Sequence, residues 1–586
     1  MSNSSPKRGA TLRRMLRFVA PYRFSLILSL LTGAVSVAAL MYIPVLIGRA
    51  VDMIAGKGRV DFAGVAGILV RIAVAVAVSA VLQWIMTVLN NRMTYNVVRD
   101  MRRQAFGTIQ ELPVSYIDSR RHGTVVSRVI SDADVISDGL LLGFSQLFTG
   151  VMTVAVTLVF MIRINPVLAA VVAVLTPLSL FVSRFVASRT YGYFRKQAEV
   201  REEETAFAEE IVSSQKTVKA FSMENECRER FREVNGRLEK ATVRAVFFSS
   251  LVNPSTRFVN GIVYAAVALI GSLIALGDVP AGALTVGGLS SFLSYANQYT
   301  KPFNEISGVI SELQNAIACA ARLFELIDSE RETDAQGGDF PREVRGDVDF
   351  CGLSFSYDKD KPLLTGVDLS VRAGQQIAIV GPTGCGKTTL INLLMRFYEP
   401  DEGKITLDGE DIRNIPRHRL RSNYGMVLQD TWLKNATVRD NIALGKPDAT
   451  DGEIVAAAEA VHAHNFIKRL PDGYNTILGE DGGSLSAGQK QLISVARVML
   501  CLPPMLILDE ATSSIDTRTE MEIQASFARL TKGRTSFIVA HRLSTVRGAD
   551  RIIVMRDGNI VESGTHRELL EAGGFYRHLY DSQFAH

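Results

Sequence analysis

Apolar residues are spread unevenly along this chain. Long apolar runs crowd the first 315 residues, whereas beyond them apolar and polar positions switch in short bursts, as in a soluble α/β fold. Six runs are long enough to cross a hydrocarbon layer, which takes about 20 helical residues: Phe24–Gly48, Phe62–Leu89, Gly139–Ile162, Val167–Phe185, Val246–Ala275 and Val286–Ile310. They are not the buried helices of a soluble protein, because six such runs with so few charges would leave nothing to cover them. Two connections between the runs are charged yet still helical in pattern; residues 189–244 contain almost no Gly or Pro. This predicts stems that carry the membrane helices past the bilayer. Each stem is expected to break at a short turn, near residues 112–118 and 211–216, with a short helix there placed to touch the domain that follows.

Charge orients the bundle. One connection carries Arg92, Arg99, Arg102, Arg103, Arg120, Arg121 and Arg128; the other carries Lys216, Lys219, Arg228 and Arg230 among others. The third-to-fourth connection is a few residues long, and the fifth-to-sixth, around residues 277–280, carries no Lys or Arg. The positive-inside bias therefore puts both termini and both stems on the cytoplasmic side. Two arginines fall inside apolar runs, Arg71 and Arg257; the latter follows Asn253 and Pro254, an expected kink, and precedes Asn260. Either can snorkel or face a polar cavity, and an inward pair would suit an anionic or amphipathic cargo. A net charge of +4 gives no case for nucleic acid as a partner. The five cysteines (Cys227, Cys319, Cys351, Cys385, Cys501) are far apart, form no metal-ligand pair and read as reduced thiols, with Cys319 inside a helix. Residues 1–17 are basic but lack an apolar core with a cleavage site, so no removable signal peptide is expected. The expected division is a cytoplasmic N-terminal segment over 1–23, the six-helix domain over 24–315, a polar linker over 316–346 and an α/β domain over 347–586.

In that last part, Gly381, Pro382, Thr383, Gly384, Cys385, Gly386, Lys387 and Thr388 fit G-x-x-x-x-G-K-[ST]. An apolar strand-like run (376–380) precedes them and a helical run starting at Thr389 follows, which is the context that makes the pattern a phosphate-binding loop. Small residues let backbone N–H groups wrap phosphates, and the helix adds its N-terminal partial charge. Lys387 would reach the β- and γ-phosphates, Thr388 would offer its hydroxyl to Mg²⁺, and Thr389 beside them is also expected at the nucleotide. A second apolar run ends in Asp509, suited to hold Mg²⁺ through water, and Glu510 beside it could orient or deprotonate an attacking water. Residues 483–489 open a helix whose Ser486 and backbone N–H groups form another anion-binding surface. Since Lys387 and Thr388 already cradle the phosphates within one subunit, that surface suggests a second copy closing over the same nucleotide.

In the order of these motifs the chain resembles an ATP-binding-cassette transporter of the exporter-type half-transporter class. The likeness covers nearly the whole length, including residues 112–138 and the multidrug-type stretch Tyr295–Pro302. It implies an α-helical six-span membrane domain with long cytoplasmic extensions, fused to an α/β P-loop ABC ATPase domain, with ATP and Mg²⁺ as cofactors. It further implies that Tyr357 stacks on adenine, that Gln429 links Mg²⁺ and the attacking water to the membrane domain, and that His541 contacts the γ-phosphate. Asp516 would face the partner's site, and Ser486, Ala487, Gly488 and Gln489 would complete the nucleotide site of the opposite subunit.

Two departures stand out: Ala487 where the family most often has glycine, and Cys385 where serine is common. Glu510 together with Ala487 fits the half of a heterodimer that keeps a catalytic glutamate but donates an altered signature. A heterodimer is therefore favoured over a homodimer. The expected activity is ATP-driven export of amphipathic small molecules, drugs or lipid; an importer of a metal chelate or other small molecule, or a lipid flippase, shares the same motifs.

Overall fold

The structure is a computed structural model that describes residues 8–55, 60–120, 122–277, 284–333, 343–428, 431–479, 482–483, 485–509, 516–540 and 543–584. The chain divides into two compact units, residues 1–110 with 121–329 and residues 111–120 with 330–586.

The first unit is helical. Its elements are α1 (Arg8–Val19), α2 (Arg23–Ala55) and α3 (Phe62–Glu111), then, after the short α4 (Val114–Asp118), α5 (His122–Val129), α6 (Ser131–Leu142), α7 (Phe148–Ile164), α8 (Pro166–Ser213), α9 (Gln215–Ala220), α10 (Glu224–Ser250), α11 (Val252–Leu276) and α12 (Val286–Ile327). Helices of 50 and 48 residues, α3 and α8, are far longer than a bilayer needs, so the charged stems continue the membrane helices as their composition requires. Among the described residues, four helical stretches are long and apolar enough to span: Gly9–Ile54, Phe62–Glu111, Gly123–Ile164 and Glu224–Leu276.

The kink expected at Pro254 appears as a helix boundary: α10 ends at Ser250, whose carbonyl Pro254 has no N–H to satisfy, and α11 starts at Val252. The expected Gly139–Ile162 run is likewise interrupted by a π-helical turn at Gly143–Leu147. Arg71 and Arg257 are both exposed on the single chain.

Helix α12 ties this unit together. Near Pro44 of α2 it supplies hydroxyls to backbone carbonyls: Ser291 Oγ donates to Pro44 O at 2.7 Å and the Tyr295 hydroxyl to Met41 O. Asp52 accepts from Gly287 N at 2.7 Å and from Thr285 Oγ1 at 2.8 Å, fixing the start of α12 on the end of α2. Lower down, Arg322 of α12 makes a two-pronged pair with Asp132 of α6, at 2.8 and 2.6 Å.

The second unit holds β1 (Val348–Phe355), β2 (Leu364–Val371), β3 (Gln376–Val380), β4 (Glu402–Leu407), β5 (Glu410–Asp411), β6 (Tyr424–Val427), β7 (Met505–Asp509), β8 (Thr535–Val539), β9 (Arg551–Arg556) and β10 (Asn559–Gly564). A small antiparallel sheet runs β2-β1-β4-β5; a six-stranded sheet runs β10-β9-β3-β8-β7-β6, parallel from β9 to β6. The apolar core has two parts, one on each face of the large sheet. Ile377 and Ile379 point toward the small sheet with Phe350 and Leu369, and Ala378 and Val380 toward helices carrying Leu492 and Ile493. A parallel sheet covered on both faces reads as continuous apolar strands, which is how β3 and β7 are written.

Candidate nucleotide site

The strand register sets the site. Ile379 of β3 pairs with Val539 of β8, and Val539 pairs with Asp509 of β7. Asp509 therefore lies level with the C-terminal end of β3, two strands away, or about 10 Å at the usual strand spacing. In an open α/β sheet the crevice beyond these strand ends is where ligands bind.

The loop leaving β3 is pressed against its neighbour. Gly381 has φ +154°, and a Cβ there would meet the Met555 carbonyl oxygen of β9 at 2.2 Å. Gly386 caps helix α13 (Lys387–Leu394) without a side-chain hydrogen bond, and among the described residues no side-chain acceptor takes the first-turn N–H groups. Lys387 is buried, and its Nζ donates to the carbonyls of Gly381 and Pro382 at 2.8 and 3.0 Å. A cation resting on neutral carbonyls beside open helix N–H groups fits the phosphates of a nucleotide. Thr388 is exposed at the same helix start, and Pro382, Thr383 and Gly384 form the exposed rim of the loop. Thr388 and Asp509 are oxygen donors of the hard type that Mg²⁺ takes. Cys385 is buried under the loop, and burial pushes its thiol above the usual range despite the Lys387 charge.

Tyr357 is half exposed and held from behind. Its ring meets Phe355 and Tyr398 edge-on, with centroids 4.9 and 5.0 Å away. Thr389 Oγ1 and Asn392 Nδ2 donate to its hydroxyl at 3.3 and 3.4 Å. Thr389, expected at the nucleotide, is thus buried and turned to Tyr357. The arrangement leaves an aromatic face beside the phosphate loop.

Ser486 is the N-cap of the Ala487–Cys501 helix, accepting from Gln489 N while Gln489 Oε1 accepts from Ser486 N at 3.0 Å. Ala487 is exposed and Gly488 buried. Asp516 caps the Thr517–Thr531 helix by accepting from Thr519 N at 3.0 Å, and that bond holds its carboxyl below the usual range. Gln429, Glu510 and His541 lie outside the described residues.

Sequence reasoning expected a short helix near residues 112–118 against the domain that follows, and α4 lies there, but it did not single out Tyr398 or Glu111 as its anchors. The segment is fixed at both ends of the second unit. Glu332 N donates to Glu111 O at 2.8 Å and Arg331 pairs with the Glu111 carboxylate; Tyr398 Oη donates to Asp118 Oδ2 at 2.6 Å. An aromatic pair with Tyr357 was not deducible from spacing, since the residues come from separate elements.

Residues 26–303 match the family described as ABC transporter transmembrane region, and residues 364–513 the one described as ABC transporter. A Bacillus subtilis protein, the uncharacterized ABC transporter ATP-binding protein YfiC, is 38% identical over 576 residues, 98% of this chain and 94% of that one. The chain belongs to the ABC transporters. A membrane domain and an ABC ATPase domain are fused in it, as in the fatty acid ABC transporter ATP-binding/permease protein of Mycobacterium tuberculosis, 41% identical over 90% of this chain and 82% of that one. The putative multidrug export ATP-binding/permease protein YgaD of Bacillus subtilis is 35% identical over 98% and 99%. Among solved structures, a bacterial Atm1-family ABC exporter with ATP bound superposes with a TM-score of 0.78 at 29% identity, covering 98% of this chain and 99% of that one. This ABC transporter thus has the exporter fold, and its ATPase domain is of the kind that binds ATP.

Proposed function

We propose that this ABC transporter is an ATP-driven exporter of amphipathic small molecules, fatty acids, drugs or lipids among them, in a bacterial plasma membrane with both termini and the ATPase domain in the cytoplasm. The observation that carries the ATP-driven reading is the buried Lys387 ammonium lying on the Gly381 and Pro382 carbonyls at the start of an open helix. The amphipathic cargo class is supported by relatives named for fatty acid transport and multidrug export.

In this reading Tyr357 stacks on adenine and the loop from Gly381 to Thr388 wraps the phosphates. Glu510 orients or deprotonates the attacking water, His541 contacts the γ-phosphate and Gln429 faces that water. Mg²⁺, when bound by Thr388, Asp509 and Gln429, would neutralise charge on the β- and γ-phosphates. Ser486, Ala487, Gly488 and Gln489 act on the nucleotide of a second subunit, with Asp516 on the facing loop. That subunit is a different half-transporter by preference, because Glu510 and Ala487 combine a hydrolytic residue with an altered signature. Nucleotide must bind the closed pair of domains better than the open pair, or it shifts nothing.

The test is expression of this chain alone, reconstitution in lipid, and assay of size, Mg²⁺-dependent ATPase and amphiphile efflux against Glu510→Gln. Turnover and ATP-dependent efflux abolished by the substitution support the reading. ATPase unchanged by Glu510→Gln overturns the assignment of that residue, and ATP-dependent uptake in place of efflux overturns export.

A further inference from the structure

The stems of α8 and α10 run antiparallel and line a half-open cavity of about 810 Å³ that the nucleotide chemistry does not use. Tyr193 of α8 and Phe248 of α10 stack face to face across it, centroids 4.6 Å apart and planes 2° from parallel. Gln197 Nε2 donates to Thr242 Oγ1 at 3.1 Å, fixing the register of the two helices. Four cations line the same cavity: Lys196, Arg237, Lys240 and Arg244. Arg237 is paired with Glu203, and the nearby Glu199 and Glu229 are taken by Arg195 and Arg232. No carboxylate pairs with Lys196, Lys240 or Arg244 among the described residues.

The cavity sits where both helices change character. On α8 the apolar run from Val167 ends at Phe185, which lines one end; on α10 the charged sequence gives way to Val246, Phe247 and Phe248 at that same end. Phe185 and Lys196 are about 16 Å apart along a helix rising about 1.5 Å per residue. One end is therefore aromatic and adjoins the bilayer-length run, while the other presents uncompensated positive charge. Basic pockets of this kind between membrane helices hold anionic headgroups, each Lys or Arg near the surface contributing about 1 kcal/mol. Guanidinium and ammonium donors form charge-assisted bonds with carboxylate or phosphate oxygens.

We propose that this cavity binds an acyl-chain amphiphile by its anionic headgroup, the carboxylate or phosphate lying among Lys196, Lys240 and Arg244 and the chain passing the Tyr193–Phe248 stack toward the apolar run. The proposal rests on the reading of α8 and α11 as membrane-crossing helices, and it goes beyond the cargo class by assigning a place and a headgroup charge.

Two photoreactive probes, a fatty acid and a phosphatidylglycerol, would be applied to the full-length protein in nanodiscs, with the labelled peptides mapped. Labelling on the cavity-lining stretches of α8 and α10 is expected to fall about tenfold or more in Lys196→Gln/Lys240→Gln/Arg244→Gln. It should be unchanged in Arg195→Gln/Arg232→Gln, and retained in the charge-keeping Lys196→Arg/Lys240→Arg/Arg244→Lys. Labelling by the fatty acid alone assigns the site to free acids, and labelling by the phospholipid alone assigns it to bilayer lipid; either supports the proposal. Labelling elsewhere, equal labelling of the charge-neutral variant, loss in the charge-keeping variant, or displacement by inorganic phosphate as effective as by oleate overturns it. Binding of a fluorescent ATP analogue to the same preparations reports on the transporter reading separately.

Discussion

Tyr398 donates its hydroxyl to Asp118 at 2.6 Å, joining the ATPase sheet unit to a short helix 280 residues earlier in the chain. Burial and the adjacent carboxylate both push the Tyr398 phenol above its usual range, so it stays protonated and donating at any physiological pH. The same ring meets Tyr357 edge-on. Adenine on Tyr357 would therefore be sensed one ring away from the helix that Asp118 holds. Tyr398→Phe is expected to keep ATP affinity within about twofold and to weaken the hold on α4 by about 1 kcal/mol, or about fivefold. Amphiphile-stimulated ATPase should then fall while basal ATPase stays. Equal stimulation in wild type and variant would remove Tyr398 from the coupling path.

Tyr357→Ala should raise the Kd for ATP, since stacking of a base on an aromatic ring contributes about 1–3 kcal/mol. Tyr357→Phe should restore most of it, because the ring and its edge contacts with Phe355 and Tyr398 remain. Titration with a fluorescent ATP analogue measures both. An alanine variant binding as tightly as wild type would mean that adenine lies elsewhere.

Gly381→Ala should abolish nucleotide binding while leaving the membrane helices intact. The added methyl would lie 2.2 Å from a backbone oxygen of β9, which cannot swing away as a side chain could. Circular dichroism and ATP titration on one preparation separate loop damage from global unfolding. ATP bound with unchanged affinity would count against the geometry of this loop.

Thiol alkylation should be ordered by exposure. Cys351 is exposed and reacts first, whereas Cys385 is buried with its thiol raised by burial, so less of it is thiolate near neutrality. Its labelling rate should keep rising as pH climbs beyond the range where ordinary thiols level off, and bound ATP should protect it. Mass spectrometry of maleimide adducts against pH measures this. Equal rates for Cys351 and Cys385 at pH 7 would contradict the burial.

Gly287→Ala should destabilise the helical unit by about 1–3 kcal/mol, the usual cost of overpacking. A Cβ there would come 1.9 Å from the Gly48 carbonyl and 2.6 Å from the Asp52 carboxyl carbon, prising α12 from α2. A lower melting temperature in detergent, with ATP affinity unchanged, is the expected reading; an unaltered melting temperature would show that the two helices give way freely.

Much of this was readable along the chain because it depends on local order. The apolar runs, the glycine spacing from Gly381 to Gly386 and the carboxylate closing an apolar strand at Asp509 are properties of contiguous residues. The break near Pro254 was legible too, since a missing N–H acts on the carbonyl four residues back. Its position was less so: the helix boundary falls at Leu251, one turn before the proline. Tyr398 shows the opposite limit, since no spacing along the chain brings its ring against Tyr357 or its hydroxyl to Asp118.

By itself, then, the sequence determined the apolar helices of the membrane half, the glycine-rich loop after β3 and the helix capped by Ser486, because each is written in neighbouring residues whose period and spacing carry the physics. Tertiary structure alone decided which distant residues meet. Residues 111–120 group with the ATPase unit through Glu111 and Asp118. Gly48 and Gly287 allow two helices to touch, and three cations with no carboxylate partner among the described residues collect beside Tyr193 and Phe248. Such meetings depend on how helices and sheets pack, and packing is set by the shapes of surfaces far apart in the chain, which no local pattern encodes.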